Sequence, residues 1–174
     1  IARELGRART AGEALGGERF VPREDLPLLI DSVRRAHARD IHVDWQAPAG
    51  ALALERDDML ELLGNLLDNA CKWARGTVRL AIEPGPREIV MRLEDDGPGI
   101  AETRHAEALA RGNRLDEQVE GHGLGLGIVS DIVAAYHGEM ALQRSALGGL
   151  LVLVLLPLQA ADPPTQGDQQ ARPH

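Results

Sequence analysis

The segment from residue 57 to residue 74 separates its apolar and polar side chains onto two sides of a helix. At roughly 100° per residue, one broad side carries Met59, Leu60, Leu63, Leu66, Leu67, Ala70 and Ala74. The narrow opposite side carries Glu61, Asn65, Asp68, Asn69 and Lys72. Since such a helix buries its apolar side against other elements, the segment predicts a helix at the centre of a layered fold.

Shorter helix and strand signals surround this segment. Before the long helix 57–74, the predicted elements are a possible strand Arg19–Val21, a helix capped by Asp25 and ending near Ala38, and strands over 41–45 and Ala51–Leu54. After it come a hairpin of Thr77–Ile82 with Glu88–Leu93, a short helix near Glu102–Ala110 and a polar loop over 111–122. The last elements are a helix Leu124–Tyr136 and a closing hairpin of Glu139–Arg144 with Leu150–Leu156. Together they predict a two-layer α/β (α+β) sandwich, in which a mixed, mostly antiparallel sheet of about five strands packs on three helices.

The domain boundaries follow from composition. Residues 18–158 form the predicted folded domain, and residues 1–17 are interpreted as the end of a preceding dimerisation helix or linker. Residues 159–174 contain three prolines and no large apolar side chain, so we expect a disordered tail. The chain begins at Ile1 without a signal-peptide pattern, and we interpret it as part of a longer protein.

Charge and composition exclude several classes of function. The net charge is −8 with no block of basic residues, which argues against a nucleic-acid surface. The longest apolar run, Leu150–Leu156, is seven residues, far short of the roughly 20 that cross a membrane. The single cysteine, Cys71, indicates a reducing compartment. An acidic chain that binds an acidic ligand needs local help from a metal ion, a helix N-terminus or a few cations.

The polar side of the long helix carries the first candidate site. Asn65 and Asn69 lie one turn apart, Glu61 lies one turn before them, and a lysine follows. Asparagine competes with the helix backbone for hydrogen bonds, so two in a helix interior suggest a function. Amide and carboxylate oxygens suit Mg²⁺, and Lys72 can reach a phosphate. A mixed polar surface remains an equal alternative from this helix alone.

Two glycine-containing turns follow. Asp95-Asp-Gly-Pro-Gly-Ile100 comes directly after a strand, where its carboxylate can accept a hydrogen bond from an exocyclic amine and its glycines permit close approach of a flat ligand. The alternative is a loop with acidic residues. Gly121-His-Gly-Leu-Gly-Leu-Gly127 enters a helix, so its backbone N–H groups can converge on phosphate. It lacks the Gly-Lys-Ser/Thr of a P-loop and the βαβ context of a dinucleotide fingerprint; a helix start with packing glycines is the alternative.

The three segments in this order resemble the N, G1 and G2 boxes of sensor histidine kinases, whose superfamily includes gyrase-type topoisomerases, Hsp90 and MutL. The run Asn65-Leu-Leu-Asp-Asn-Ala-Cys-Lys-Trp73 and the pairing of Asp95–Ile100 with Arg111–Asp116 are most similar to PhoQ-type sensor kinases. The resemblance covers about residues 20–157. It implies a Bergerat-type nucleotide fold with a mobile lid, ATP and Mg²⁺ as ligands, and phosphoryl transfer to a histidine.

The resemblance also implies roles for single residues. Asn65 coordinates Mg²⁺ with Asn69 beside it, Asp95 accepts a hydrogen bond from adenine N6, and Trp73 packs on the adenine. Glu61, Lys72 and Arg114 are the implied catalytic residues: Glu61 acts near the γ-phosphate, Lys72 contacts phosphate and Arg114 offsets γ-phosphate charge from the lid. The implied nucleotide-binding set is Asn65, Asp68, Asn69, Lys72, Trp73, Asp95, Gly97, Gly99, Ile100, Arg114, Gly121, His122, Gly123, Leu124, Gly125 and Leu126.

The sequence departs from the family pattern in its lid. The usual Phe box is absent, Val119 replaces a possible cation, and His122 occupies a position where a neutral polar residue is common. We predict that His122 approaches the Mg²⁺–phosphate cluster and serves as a third metal-site residue. The other histidines lack the His-Glu/Asp context of a phosphoacceptor: His37, His42, His105, His137 and His174.

These observations predict the catalytic domain of a two-component sensor histidine kinase. Its expected partners are its own dimerisation (histidine-phosphotransfer) domain and a cognate response regulator, with no nucleic acid and no membrane contact by this segment. We expect the isolated chain to be monomeric and to belong to the cytoplasmic portion of a bacterial inner-membrane sensor. A non-catalytic nucleotide-binding module of the same fold is the alternative, and a gyrase- or MutL-like clamp is disfavoured by the charge and by the lack of a transducer domain.

Overall fold

The fold was analysed in a computed structural model, which describes residues 17–106, 108 and 124–158. Three helices are present in this part of the chain: α1 (Pro22–His37), α2 (Arg56–Trp73) and α3 (Leu124–Ala135). Five strands accompany them: β1 (His42–Gln46), β2 (Thr77–Pro84), β3 (Glu88–Asp95), β4 (Glu139–Arg144) and β5 (Leu150–Pro157). The predicted sandwich of three helices on a mixed five-stranded sheet is therefore confirmed.

The sheet has the strand order β1-β2-β3-β5-β4. Only the β1–β2 pair is parallel; β2–β3, β3–β5 and β4–β5 are antiparallel. Alternate side chains of the central strands are buried on one face, as the period of two requires; on β3 these are Ile89, Met91 and Leu93. The core is largely aliphatic, and Phe20 is its fully buried aromatic ring.

The helices cover this apolar face. α2 packs over β3 with α1 on one side of it and α3 on the other, and α3 also contacts β4 and β5. Because α2 is enclosed on three sides, its buried surface is wider than the periodicity indicated. Leu62 and Cys71 are buried as well, whereas Leu60 is only partly buried. None of the described helices is long and apolar enough to span a membrane.

Two predictions near the N-terminal end of the domain are wrong in detail. Asp25 does not cap α1, which begins three residues earlier with Pro22 at its first position, where proline loses no hydrogen bond. Asp25 instead accepts a hydrogen bond from the Val21 N–H at 2.9 Å. The predicted strands Arg19–Val21 and Ala51–Leu54 reduce to a single antiparallel bridge between Arg19 and Glu55 with its neighbouring backbone bonds.

The remaining elements agree with the sequence to within a few residues. The helix predicted near Glu102–Ala110 begins as a 3₁₀ turn, Glu102–Arg104. The rest of that helix lies partly outside the described residues, and the lid loop 111–122 and both chain ends, 1–16 and 159–174, lie wholly outside them.

Candidate functional site

The carboxylate of Asp95 lies at the end of β3 and is 4% exposed. Its Oδ1 accepts hydrogen bonds from the Gly97 N–H at 2.7 Å and from the Leu150 N–H at 3.4 Å. Burial raises the pKa of this carboxyl; the two backbone hydrogen bonds oppose the increase, and the neighbouring charge of Asp96 adds to it. Asp95 is thus a fixed, poorly solvated acceptor whose Oδ2 takes neither of these two bonds.

Glycines surround Asp95 because the backbone approaches too closely for side chains. A Cβ on Gly97 would lie 2.5 Å from the carbonyl oxygen of Trp73, at the end of α2. A Cβ on Gly149, in the β4–β5 turn, would collide with the Asp95 carboxylate, and the Gly149 N–H donates to the Asp95 carbonyl at 3.1 Å. Gly99 has a φ of +72°, which favours glycine. The end of α2 and the β4–β5 turn therefore hold the Asp95 turn from two sides.

Asp96 holds the loop that joins α2 to β2. Its Oδ1 accepts hydrogen bonds from the N–H groups of Arg75 at 2.7 Å and Gly76 at 3.1 Å, and its Oδ2 accepts one from Thr77 at 3.1 Å. Burial raises the pKa of this carboxyl, but the backbone hydrogen bonds outweigh burial, and the pKa lies below its ordinary value. Asp96 thus fixes the C-terminal end of α2 beside the turn that carries Asp95.

Asn65 lies in the middle of α2, where the start of α3 approaches. Its Nδ2 donates to the carbonyl of Glu61 at 2.8 Å, which leaves Oδ1 directed away from its own helix. A Cβ on Gly125 would lie 3.4 Å from that Oδ1. The N-terminal end of α3, which carries partial positive charge, therefore lies against an oriented amide oxygen. Asn69 lies one turn further along α2 and is partly buried.

The C-terminal turn of α2 exposes an aromatic ring and a cation. Trp73 is 38% exposed, and the Lys72 Nζ lies 5.6 Å from the centre of its ring, within range of a cation–π contact. The Trp73 carbonyl lies beside Gly97, so the C-terminal turn of α2 that carries this ring borders the Asp95 turn. The surface beside the buried carboxylate thus combines a flat apolar face with positive charge.

Three segments that are distant in sequence therefore meet around α2. The Asp95 turn offers a buried acceptor, the start of α3 offers an N-terminal helix dipole, and Asn65 beside that start offers a hard oxygen ligand. Such a surface can hold a planar ring with an exocyclic amine at one end and phosphate with a divalent cation at the other. The glycine contacts at both ends fit a nucleotide site with close backbone approach.

Comparison with known proteins agrees with this geometry. Residues 55–160 match the family described as histidine kinase-, DNA gyrase B- and HSP90-like ATPases. The chain belongs to this ATPase family. The match begins at the N-terminal end of α2 and runs past the end of β5, so it includes all three segments of the candidate site.

The curated relatives of this ATPase domain are sensor kinases. The chain is 52% identical over 160 residues to the sensor protein kinase CarS of Pseudomonas aeruginosa, covering 91% of this chain and 36% of that protein. It is 38% identical over 152 residues to the two-component sensor PhoQ of the same organism, covering 86% of this chain and 34% of that one. The chain thus spans about a third of the length of these relatives. The resemblance to PhoQ-type sensors is confirmed, and CarS shares more identity.

Solved structures with the same fold are histidine kinase domains. The mycobacterial sensor histidine kinase MprB superposes with a TM-score of 0.68 at 24% identity, covering 81% of this chain and 97% of that one. A structure of full-length ShkA in complex with AMPPNP gives a TM-score of 0.63 at 25% identity, covering 87% of this chain and 33% of that one. The architecture of the ATPase domain is therefore shared with the histidine kinase catalytic domains.

The structure of the ATPase domain brings most of the described predicted residues to one region, but Asp68 has another partner. Its Oδ1 lies 2.9 Å from Nε2 of His37 on α1, so its role at the nucleotide stays a prediction. Ile100 and Leu126 are partly buried against the core. Leu124 is the first residue of α3, and four predicted positions lie outside the described residues: Arg114, Gly121, His122 and Gly123.

Two residues that hold the site were missed from the sequence. Asp96 had been grouped with Asp95 as one acidic turn, although its carboxylate serves the loop before β2. Gly149 lies between the two predicted strands of the closing hairpin, and only the structure shows that it packs on Asp95. The signal for Asp95 itself was available: it continues the i, i+2 series of buried β3 residues, so an acidic side chain stands at a position facing the core.

Proposed function

We propose that this ATPase domain binds Mg-ATP and transfers the γ-phosphate to a histidine on a dimerisation domain outside the chain, as the catalytic part of a two-component sensor histidine kinase. The observation that carries the proposal is that the Asp95 turn and the N-terminal end of α3 both pack against α2, the first at its C-terminal end and the second at the oriented Asn65 amide. The sensor kinases among the relatives support this reaction.

At the adenine end, Asp95 accepts a hydrogen bond from the N6 amino group through Oδ2. The hydrogen bonds that hold Oδ1 also fix the direction of Oδ2, so the acceptor needs little reorganisation when the base binds. Trp73 offers its exposed ring to the base. The absence of a side chain at Gly97 lets the Asp95 turn pack closely on the Trp73 carbonyl, at the C-terminal end of α2.

At the phosphate end, backbone N–H groups at the start of α3 face phosphate oxygens, and the Asn65 Oδ1 is a ligand for Mg²⁺ with Asn69 beside it. Bound Mg²⁺ supplies charge neutralisation for the phosphates. Lys72 and Arg114 add positive charge, and His122 approaches from the lid. Since the chain has a net charge of −8, these local groups overcome its unfavourable field for an anionic ligand.

Glu61 acts on the incoming histidine. It lies one turn before Asn65 on α2, and its side chain is exposed, so it can reach an imidazole that approaches from another domain. It accepts or polarises the ring proton and so makes the imidazole nitrogen a better nucleophile. Binding of nucleotide does not need this proton transfer, whereas phosphoryl transfer does.

The decisive experiment separates binding from transfer. The chain is incubated with labelled Mg-ATP and the histidine-bearing dimerisation domain of its full-length protein, with nucleotide affinity measured in parallel. We expect Glu61→Gln to retain the affinity within about twofold and to lower transfer by at least about 100-fold. Glu88→Gln, at the far end of β3 and also exposed, is the matched control and should change neither quantity.

Two results would contradict the proposal. If the wild-type chain does not bind Mg-ATP, the proposed nucleotide site is excluded. If it binds Mg-ATP tightly but transfers phosphate to no histidine, its function is that of a non-catalytic nucleotide-binding module of the same fold. The expected partners are the dimerisation domain and a response regulator. We further propose that the isolated chain is monomeric and that the protein is a bacterial inner-membrane sensor with this domain in the cytoplasm.

A further inference from the structure

Tyr136 follows the last residue of α3 and contacts the beginning of α2. Its hydroxyl donates to Oδ2 of Asp58 at 2.8 Å and accepts from the backbone N–H of Glu55 at 3.1 Å. Glu55 is the residue that caps the N-terminus of α2, and its side chain makes no capping hydrogen bond there. The phenol therefore satisfies a backbone donor at the start of a helix that carries site residues further along.

The arrangement is a capping box with a tyrosine inserted into it. In a capping box, the acidic side chain at the third helical position reaches back to the N–H of the capping residue. Asp58 occupies that third position, since α2 begins at Arg56. Here its carboxylate binds the Tyr136 hydroxyl, and the hydroxyl in turn binds the capping N–H. A local motif of α2 has thereby become a link between two helices.

The same two helices meet again at the phosphate end of the candidate site. α3 runs back along α2, so that Gly125 lies against Asn65 while Tyr136 lies against the first turn of α2. The two contacts are about 16 Å apart along α3 at 1.5 Å per residue. Gly125 contributes no side chain, so its contact with Asn65 is one of close packing. The hydroxyl of Tyr136 provides directional bonds at the other end.

We propose that Tyr136 is a positioning residue for the phosphate end of the nucleotide site, acting through α3 on the first turn of that helix, where Gly125 lies against Asn65. The inference rests on the proposed function. The adenine end does not contact this link directly, because the Asp95 turn is held by the N–H groups of Gly97 and Leu150 and by the C-terminal end of α2. Loss of the Tyr136 hydroxyl should therefore weaken binding of phosphate groups and leave binding of the base unchanged.

The test compares two ligands on one set of variants. Affinities for a non-hydrolysable ATP analogue with Mg²⁺ and for adenosine are measured on the 174-residue chain, the latter by NMR titration. For Tyr136→Phe we expect the analogue to bind roughly five- to tenfold more weakly, the effect of one or two lost hydrogen bonds. Adenosine should bind within about twofold of the wild type.

Variants of α2 supply the controls. Asp58→Ala should likewise weaken binding of the ATP analogue and leave binding of adenosine unchanged. Asp58→Asn should keep most of the affinity for the analogue, because its amide oxygen can still accept the hydrogen bond from the Tyr136 hydroxyl. Asp57→Ala removes an equal charge from the same turn, where Asp57 is exposed, and should bind both ligands normally. Thermal unfolding establishes that each variant is folded; if Tyr136→Phe is not folded, Asp58→Ala and Asp58→Asn give the answer.

Several outcomes would overturn the inference. Equal weakening for the analogue and for adenosine would mean that the hydroxyl only stabilises the domain, and unchanged analogue binding by a folded Tyr136→Phe would mean that it does not position the site. If Asp57→Ala bound the ATP analogue as weakly as Asp58→Ala, the effect would come from the loss of a negative charge in the first turn of α2. If the wild-type chain binds neither ligand, the proposed function fails first, and that result is distinct from all of these.

Discussion

Replacing Asp95 by asparagine should keep or increase the stability of the domain while it weakens nucleotide binding. The two side chains have the same shape, and the amide oxygen can keep the hydrogen bonds from the N–H groups of Gly97 and Leu150. The second carboxylate oxygen becomes an NH₂ group. At that atom an acceptor turns into a donor, and the buried charge disappears.

The effect on stability follows from the raised pKa of Asp95, which burial causes. A carboxyl whose pKa is higher in the folded state binds its proton more tightly when folded. The free energy of unfolding therefore decreases as pH rises from the unfolded pKa, about 3.9, through the folded pKa, and the full cost is present above the folded pKa. Asp95→Asn lacks this dependence and should be at least as stable as the wild type at pH 7.

The effect on binding has the opposite sign. An amino group of adenine that meets the NH₂ of asparagine loses a hydrogen bond to a charged acceptor and places two donors against each other. This costs about 2 to 4 kcal/mol, which corresponds to roughly 30- to 900-fold weaker binding. Titration calorimetry with Mg-ATP and urea unfolding between pH 4 and 8 measure the two effects on the same samples.

An exposed carboxylate on β1 provides the control. Asp44→Asn changes the net charge equally, but Asp44 is exposed at the edge of the sheet, so it should alter neither nucleotide affinity nor the pH dependence of unfolding. The reasoning would be refuted if Asp95→Asn bound Mg-ATP like the wild type, or if it were clearly less stable than the wild type at pH 7.

Three further substitutions address the backbone contacts that hold the site. Asp96→Ala removes the acceptor of three backbone N–H bonds and should lower the free energy of unfolding by about 2 to 4 kcal/mol at pH 7. Because the pKa of this carboxyl is lowered, the difference from the wild type should shrink as pH falls from the unfolded pKa, about 3.9, through the lower folded pKa; a difference that did not shrink in acid would contradict the assignment. Gly149→Ala should weaken nucleotide binding at least about tenfold, since its Cβ would displace the neighbouring carboxylate, whereas Gly50→Ala, where a Cβ meets open space, should bind normally in the same titration. Arg39→Ala removes the guanidinium bonds to two C-terminal carbonyls of α2, at 3.2 and 2.9 Å, and should cost about 1 kcal/mol in thermal unfolding; an unchanged midpoint would show that water replaces it.

The elements with strong periodicity could be predicted from the sequence. The predicted bounds of α2 lie within one residue of the observed ends, and the hairpin predicted for Thr77–Ile82 with Glu88–Leu93 is observed as β2 and β3. Local chemistry fixes such segments, because side-chain spacing and turn residues act over a few positions. The strand predicted for Ala51–Leu54 is wrong. Its leucine side chains are buried, but its backbone makes only a few hydrogen bonds to the segment around Phe20, too few to form a strand pair.

The width of the buried surface on α2 could not be predicted in the same way. The periodicity divided the helix into one apolar and one polar side, but Leu62 and Cys71 are also buried because α1 and α3 pack on both flanks. Asp68 on the polar side approaches His37 of α1. Neighbouring helices decide these environments, and their positions depend on the whole topology.

Asp95 and Asp96 show why a motif reveals ligand-binding groups more readily than the groups that hold them. The two residues are chemically identical and adjacent, but successive side chains of a strand point to opposite faces. Asp95 therefore continues the buried series of β3, while Asp96 turns towards backbone N–H groups about twenty residues earlier in the chain. A ligand constrains the chemistry and spacing of the residues that contact it, which leaves a pattern in the sequence. A backbone N–H is the same for every residue type except proline, so the loop that Asp96 binds carries no matching signature, and its partner becomes visible only when the chain is folded.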